Sequence, residues 1–94
     1  MSYSGGYAIV DCFGVELSTS QAVTTTDTMM AAILRATDKP VIMKNLTLSA
    51  VSVRAQEICC TNTGATDGKV RYFNIAGNYF TVTTDDSNIT FTPA

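Results

Sequence analysis

The three cysteines are the side chains with the greatest intrinsic reactivity in this chain, and no histidine accompanies them. Histidine is the commonest general base and transition-metal ligand, so its absence excludes every Ser-His or Cys-His nucleophile arrangement. Cys59 and Cys60 are adjacent, which leaves no gap for zinc chelation, and neighbouring strand positions face opposite sides, so the two do not pair. We expect Cys12, Cys59 and Cys60 to be buried free thiols.

This inventory favours a protein that is not an enzyme, and we predict no catalytic residue and no cofactor. An enzyme that relies only on Asp, Glu, Tyr or Cys is the alternative, and an activated, low-pKa cysteine would reveal it. Such an enzyme also needs a cleft, which a domain with a single helix seldom encloses.

Two polar segments could hold a ligand. Asp85 and Asp86, with Asn88, offer oxygen ligands for a cation, but they lack the alternating spacing of a calcium-binding loop, so a solvated turn is favoured. The segment 64–69 resembles a phosphate-binding loop, yet three residues separate its glycines and Val70 stands where Ser or Thr should bind magnesium. We predict no metal site, and a cation at the acidic turn remains the open alternative.

Charge is scarce throughout the chain. Charged residues make up 15% of the sequence, against about 25% in a typical domain. The formal net charge is −2 and the six basic residues are scattered singly, so no basic stripe is available for nucleic acid. No apolar stretch is long enough to span a membrane. Fifteen threonines replace the missing charge, and a surface of uncharged, β-branched residues is suited to packing against a neighbouring subunit.

The size of the chain indicates one domain over residues 1–94, because smaller pieces could not bury enough apolar surface. The opening residues, 1–6, lack the charged and apolar regions of a signal peptide. Together with the odd number of cysteines, this predicts a protein made in the cytoplasm without secretion.

One helix is predicted, over Thr26 to Ala36. A threonine at 24–26 serves as N-cap, Asp27 lies in the first turn, and Arg35 in the last turn complements the helix dipole. Pro40 ends the helix region. The apolar stripe of this helix consists of Met29, Met30, Ile33 and Leu34.

The rest of the chain is predicted to be extended. The first strand covers Tyr7 to Phe13 and continues through 15–17 past a bulge at Gly14. A two-residue turn at Gly77-Asn78 joins two strands of a hairpin. Further strands are expected at 41–44, 46–54 with a bulge or turn near Ser49-Ala50, 56–61, 70–76, 79–84 and 88–92. Asn45 is a candidate turn, and the composition of residues 63–68 predicts a loop. Six apolar residues of the last three strands alternate with polar ones and are expected to form a buried face: Phe73, Ile75, Phe80, Val82, Ile89 and Phe91. The fold class is therefore α+β, with one short helix packed on a mostly antiparallel sheet or small sandwich.

This layout resembles small modules of tailed-bacteriophage virion proteins, of the head-fibre and capsid-decoration types. The resemblance rests on the opening strand, on Gly14–Ser18, on the helix that runs into Ala36–Met43, and on the Thr-rich meander. It implies a non-enzymatic homo-oligomer, with a trimer favoured, that is located in the virion and binds a capsid or other virion protein. No functional residue is carried over from the family.

The alternative function is a small acidic inhibitor or regulatory protein that binds and blocks a host protein. Acidic inhibitors gain association rate from concentrated negative charge. The carboxylates of this chain are dispersed, which favours the structural interpretation.

Overall fold

The structure, a computed structural model, describes residues 2–4, 6–37, 39–49, 53–64 and 70–94, and for 2–4 and 53–64 it describes the backbone. Within these residues the chain forms nine strands and one helix. In chain order they are β1 (Ser2–Ser4), β2 (Tyr7–Asp11), β3 (Glu16–Leu17), β4 (Val23–Thr26), α1 (Thr28–Ala36), β5 (Val41–Leu48), β6 (Val53–Gly64), β7 (Val70–Ile75), β8 (Asn78–Asp85) and β9 (Asn88–Pro93).

The strands form one continuous path in the order β1-β2-β5-β6-β7-β8-β9-β4, with β3 also beside β5. Strands β2 and β3 run parallel to β5, and all other described pairs are antiparallel. The long strand β6 pairs first with β5 and then, from Thr61, with β7, so it links the two halves of the sheet. Helix α1 packs against β2, β7, β8 and β9. The predicted α+β class, with a short helix on a mostly antiparallel sheet, is confirmed.

The core lies between the helix and the side of the sheet that faces it. Alternating apolar residues of β7, β8 and β9 fill it, as the period of two predicted. The six predicted residues, Phe73, Ile75, Phe80, Val82, Ile89 and Phe91, are all at most 2% exposed.

The predicted interruption near Gly14 is present between β2 and β3. From Asp11 to Glu16 the chain advances five residues, while its partner β5 advances three, from Lys44 to Thr47. The two extra residues bulge out of the sheet, after which β3 resumes parallel pairing with β5.

Side chains hold this bulge in place. The Oδ1 atom of Asp11 accepts hydrogen bonds from the backbone N–H of Phe13 at 2.8 Å and from Nδ2 of Asn45 at 3.1 Å. The bond from Phe13, and to a lesser degree the bond from Asn45, lowers the pKa of the Asp11 carboxyl. Phe13 and Asn45 both have positive φ, at 50° and 55°. One carboxylate therefore braces two residues in a backbone conformation that L-amino acids rarely adopt.

The helix begins later than predicted. It starts at Thr28, and Asp27 is its N-cap, with Oδ1 accepting from the N–H of Met30 at 2.9 Å. The expected threonine cap at 24–26 was wrong, because those β-branched residues belong to β4 and pair with β9. Met29 was also misplaced, since it is 60% exposed and Ala31 takes its place in the buried stripe.

The strand at 41–44 is longer than predicted. It runs without a turn through Asn45, whose positive φ shifts the buried face from Met43 to Leu46. Of the bulge or turn predicted near Ser49-Ala50, the turn is present, since Ser49 lies in a turn and Leu48 pairs antiparallel with Val53 of β6. Thr63 and Gly64, which were predicted to begin a loop, belong to β6 instead, and the rest of that predicted loop lies outside the described residues.

The β7–β8 turn is one residue earlier than predicted. Ile75 pairs with Asn78, so the connection consists of Ala76 and Gly77, both with positive φ (51° and 84°), as a primed turn requires. Oδ1 of Asn74 accepts from the N–H of Gly77 at 2.8 Å, and Nδ2 of Asn78 donates to the carbonyl of Ala76 at 3.2 Å. The expected Gly77-Asn78 turn was wrong because these two asparagines stabilise the alternative register.

Changing Ala76 to asparagine is expected to stabilise the fold by about 0.5–1 kcal/mol, because alanine is strained at this left-handed position and Asn-Gly is the favoured primed turn. Urea unfolding of the wild type and of A76N measures the difference. A76V is the matched control, and its β-branched side chain should lower the free energy of unfolding. Equal stability of all three proteins would contradict the assigned turn.

Candidate interaction surface

The side of the sheet away from the helix, across β7, β8, β9 and β4, is called the outer face here. Strand alternation turns apolar residues inward and leaves uncharged polar residues outward. The outer face consists of Thr24, Thr26, Val70, Tyr72, Asn74, Tyr79, Thr81, Thr83, Asp85, Asn88, Thr90 and Thr92. Half of these twelve residues are threonines, and Asp85, at one margin, is the one charged residue among them. Six of the fifteen threonines of the chain therefore share one face, and this face carries a single charged side chain among its described residues.

Threonines stand side by side across three neighbouring strands. Thr83 of β8 faces Thr90 of β9, which in turn faces Thr24 of β4. The hydroxyls of Thr24 and Thr90 are hydrogen-bonded at 2.9 Å, and Oγ1 of Thr26 donates to Oδ1 of Asn88 at 2.9 Å. These bonds orient the side chains before any partner arrives.

Two tyrosines occupy the end of the outer face opposite Asp85. Tyr72 is 51% exposed and Tyr79 is 65% exposed. They lie on adjacent strands β7 and β8, where Tyr72 pairs with Thr81 and Tyr79 with Asn74. Tyrosine is enriched in protein interfaces because its ring supplies contact area at low entropic cost and its hydroxyl tolerates water.

A second exposed apolar feature lies beside the bulge. Phe13, 77% exposed, and Met29, 60% exposed, flank a shallow groove whose floor includes Val10 and Ile33. Sequence reasoning missed both, because it placed Phe13 in a strand and Met29 on the core stripe. The signal for Phe13 was its position directly before Gly14, where a bulge turns the side chain outward.

The acidic turn is a simple hairpin connection. Asp85 pairs with Asn88, and Asp86 with Ser87 form the turn between them. Arg35 and Thr84 line the depression beside the two carboxylates, so a guanidinium shares this space. Across the described residues, no group of three or more Cys, Asp or Glu side chains comes together to hold a metal ion.

Cys12 is a buried free thiol, as predicted, and is 1% exposed. Burial, followed by the charges of Asp11 and Asp27, raises its pKa from 9.0 to about 12. Since the thiolate is the nucleophile, this cysteine is not activated at neutral pH. The predictions for Cys59 and Cys60 concern side chains outside the described residues.

Native Cys12 is expected to react with iodoacetamide at pH 8 at least about a hundredfold more slowly than the same residue in urea. The pKa of Cys12 is higher in the folded chain than in the unfolded chain. The neutral thiol therefore contributes fully to the free energy of unfolding below pH 9.0, and this contribution is lost as the pH rises toward 12. Mass spectrometry of the alkylated peptides follows each cysteine separately. Rapid native modification of Cys12 would revive the enzyme alternative.

Comparison with known proteins gives no relative for this chain: no family model, no curated protein and no solved structure matches it. Within the described residues, no helix is long and apolar enough to cross a membrane.

Proposed function

We propose that this chain is a non-enzymatic structural subunit of a virion-like assembly, of the head-fibre or capsid-decoration kind. It associates with copies of itself, with a trimer favoured, and with a capsid or other virion protein. The observation that carries the proposal is the outer face, on which uncharged threonine, asparagine and tyrosine side chains extend over four adjacent strands.

The outer face costs little to bury. Removing a charge from water is far more expensive than removing a hydroxyl that keeps a hydrogen bond. The Thr24–Thr90 and Thr26–Asn88 pairs retain their bonds in a complex, and the threonine methyl groups add apolar contact. Tyr72 and Tyr79 act as anchors, and Asp85 falls at the polar rim.

The extent of the face favours repeated contacts over one isolated pair. Four strands at ~4.8 Å spacing, with six residues at ~3.3 Å each, cover roughly 400 Å² in projection. A stable pair of proteins buries about 800 Å² on each partner. Because a projected area understates the accessible area, the outer face supplies roughly half to all of one such contact. A subunit with this face is best stabilised when several contacts form together, as in a ring or on a lattice.

Copurification with particles tests the assembly role. Particles from the source culture, purified by density gradient, treated with nuclease and washed at high salt, are probed with an antibody against this chain. The chain should follow the particle fraction at a fixed ratio to the major capsid protein. Its restriction to the particle-free fraction would contradict the proposal.

The groove beside Phe13 favours the second candidate, a protein that binds and blocks one host partner. An exposed aromatic residue held in a strained conformation is typical of a recognition site. In an affinity capture from host lysate, this function requires one dominant partner at fixed stoichiometry that is lost with F13A and retained with T90K.

A further inference from the structure

Strand β4 is an edge of the described sheet. Its four residues, Val23–Thr26, pair with β9, and the strand path ends there. An edge strand carries backbone N–H and C=O groups that can pair with another chain.

The phase of the ladder identifies which backbone groups face the open edge. The N–H of Asp27 donates to the carbonyl of Ser87 at 2.8 Å, one step beyond the Thr26–Asn88 pair. Hydrogen-bonded and non-hydrogen-bonded pairs alternate in an antiparallel ladder. Thr24 and Thr26 therefore stand in non-hydrogen-bonded positions opposite β9, and their N–H and C=O groups point outward.

This edge lacks the devices that block pairing. Val23–Thr26 contains no lysine, proline, glycine or bulge. The two side chains that this strand places on the outer face, Thr24 and Thr26, are short and uncharged. The strand is short, so it offers two outward residues and a limited number of bonds. Such a contact supplements a larger interface and sets its geometry.

We propose that β4 pairs antiparallel with β4 of a second copy, across a two-fold axis at Thr25. In this register Thr24 of one copy faces Thr26 of the other, and the two equivalent pairs exchange four backbone hydrogen bonds. The inference rests on the proposed function, because it specifies one contact of the self-associating subunit.

A second copy fits this edge because the edge is self-complementary. The outward groups of Thr24 and Thr26 are two residues apart, so a two-fold axis at Thr25 matches every donor with an acceptor. The strand itself carries no charge, and the carboxylate of Asp27 already accepts the N–H of Met30. The pairing joins two outer faces into one eight-stranded surface and is distinct from a three-fold contact through that face.

A cysteine placed on the axis tests the register. Thr25 and its symmetry mate form a non-hydrogen-bonded pair with Cα atoms about 4.5 Å apart, within the range for a disulfide. T25C, made with C59S and C60S, should convert almost completely to a disulfide dimer under mild oxidation. T24C in the same background is the matched control, because its symmetry-related Cα atoms are offset by two residues and lie too far apart.

A proline tests the backbone bonds. T24P removes one outward N–H and leaves the β9 ladder intact, so self-association should weaken at least about tenfold. T24V loses the same outer-face hydroxyl but keeps this N–H, so weaker association of T24P than of T24V isolates the backbone bond from the Thr24–Thr90 contact. Thermal melting of each variant monitors folding.

The outcomes separate the two proposals. Selective T25C dimers with weaker association of T24P support the edge pairing. Intact self-association, with no T25C dimer and no effect of T24P, overturns the edge pairing and leaves the proposed function standing. Equal cross-linking of T24C and T25C also overturns it. A wild-type chain that stays monomeric overturns both.

Discussion

Replacing Thr90 with lysine is expected to weaken self-association at least about a hundredfold, which corresponds to about 2.7 kcal/mol. Thr90 lies at the centre of the outer face, between Thr83 and Thr24, and its hydroxyl bonds to Thr24. A partner covering this face would have to bury the ammonium group without a counter-charge.

Sedimentation equilibrium of T90K against the wild type measures the dissociation constant. A32K is the charge-matched control, because Ala32 is exposed on α1, away from the outer face. T90S retains the hydroxyl and should associate almost like the wild type. If A32K weakens association as much as T90K, net charge and not the outer face controls assembly.

Removing the side chain of Arg71 is expected to have the largest effect on stability, while changing it to methionine should have little. Arg71 is 5% exposed beneath the last turn of α1, where Nη2 donates to the carbonyl of Arg35 at 3.4 Å. Its Nε atom has no hydrogen-bond partner, which makes the buried charge poorly compensated among the described residues. We expect R71A to lose about 2–4 kcal/mol through a cavity, and R71M to stay within about 1 kcal/mol of the wild type.

Urea unfolding of the two variants separates volume from charge. If packing of the aliphatic stem of Arg71 stabilises this site, methionine can replace arginine with little loss. The urea midpoint of R71M should then lie close to that of the wild type, and the midpoint of R71A should lie well below both. Equal losses in R71M and R71A would show that the guanidinium bond to the helix end is the stabilising contact.

The sequence predicted the buried faces of β7, β8 and β9 because a period of two in local residues suffices there. It did not predict β4. A run of threonines suits both a helix cap and a strand, and the residues that decide, 88–91, lie more than 60 positions away. The burial of Arg71 could not be predicted for the same reason, because a single basic residue on a strand gives no local sign that a helix end will cover it.

The hairpin turn shows a finer limit. Turns at 76–77 and at 77–78 both place Phe73 and Phe80 on one face, so alternation cannot choose between them. The turn position is decided by two side-chain hydrogen bonds, one accepted by Asn74 and one donated by Asn78, and these depend on side-chain geometry that propensities do not contain. Low charge and fifteen threonines predicted an uncharged, threonine-rich surface. The position of that surface in the fold could not be predicted, because it depends on the order of the strands in the sheet.

The native mass of the purified wild-type chain, measured by size exclusion with light scattering over a concentration series, tests self-association most directly. We expect a stable homo-oligomer, namely a trimer of the 10.0 kDa subunit or a pair of such trimers joined through β4. A mass of one subunit at every concentration would contradict it.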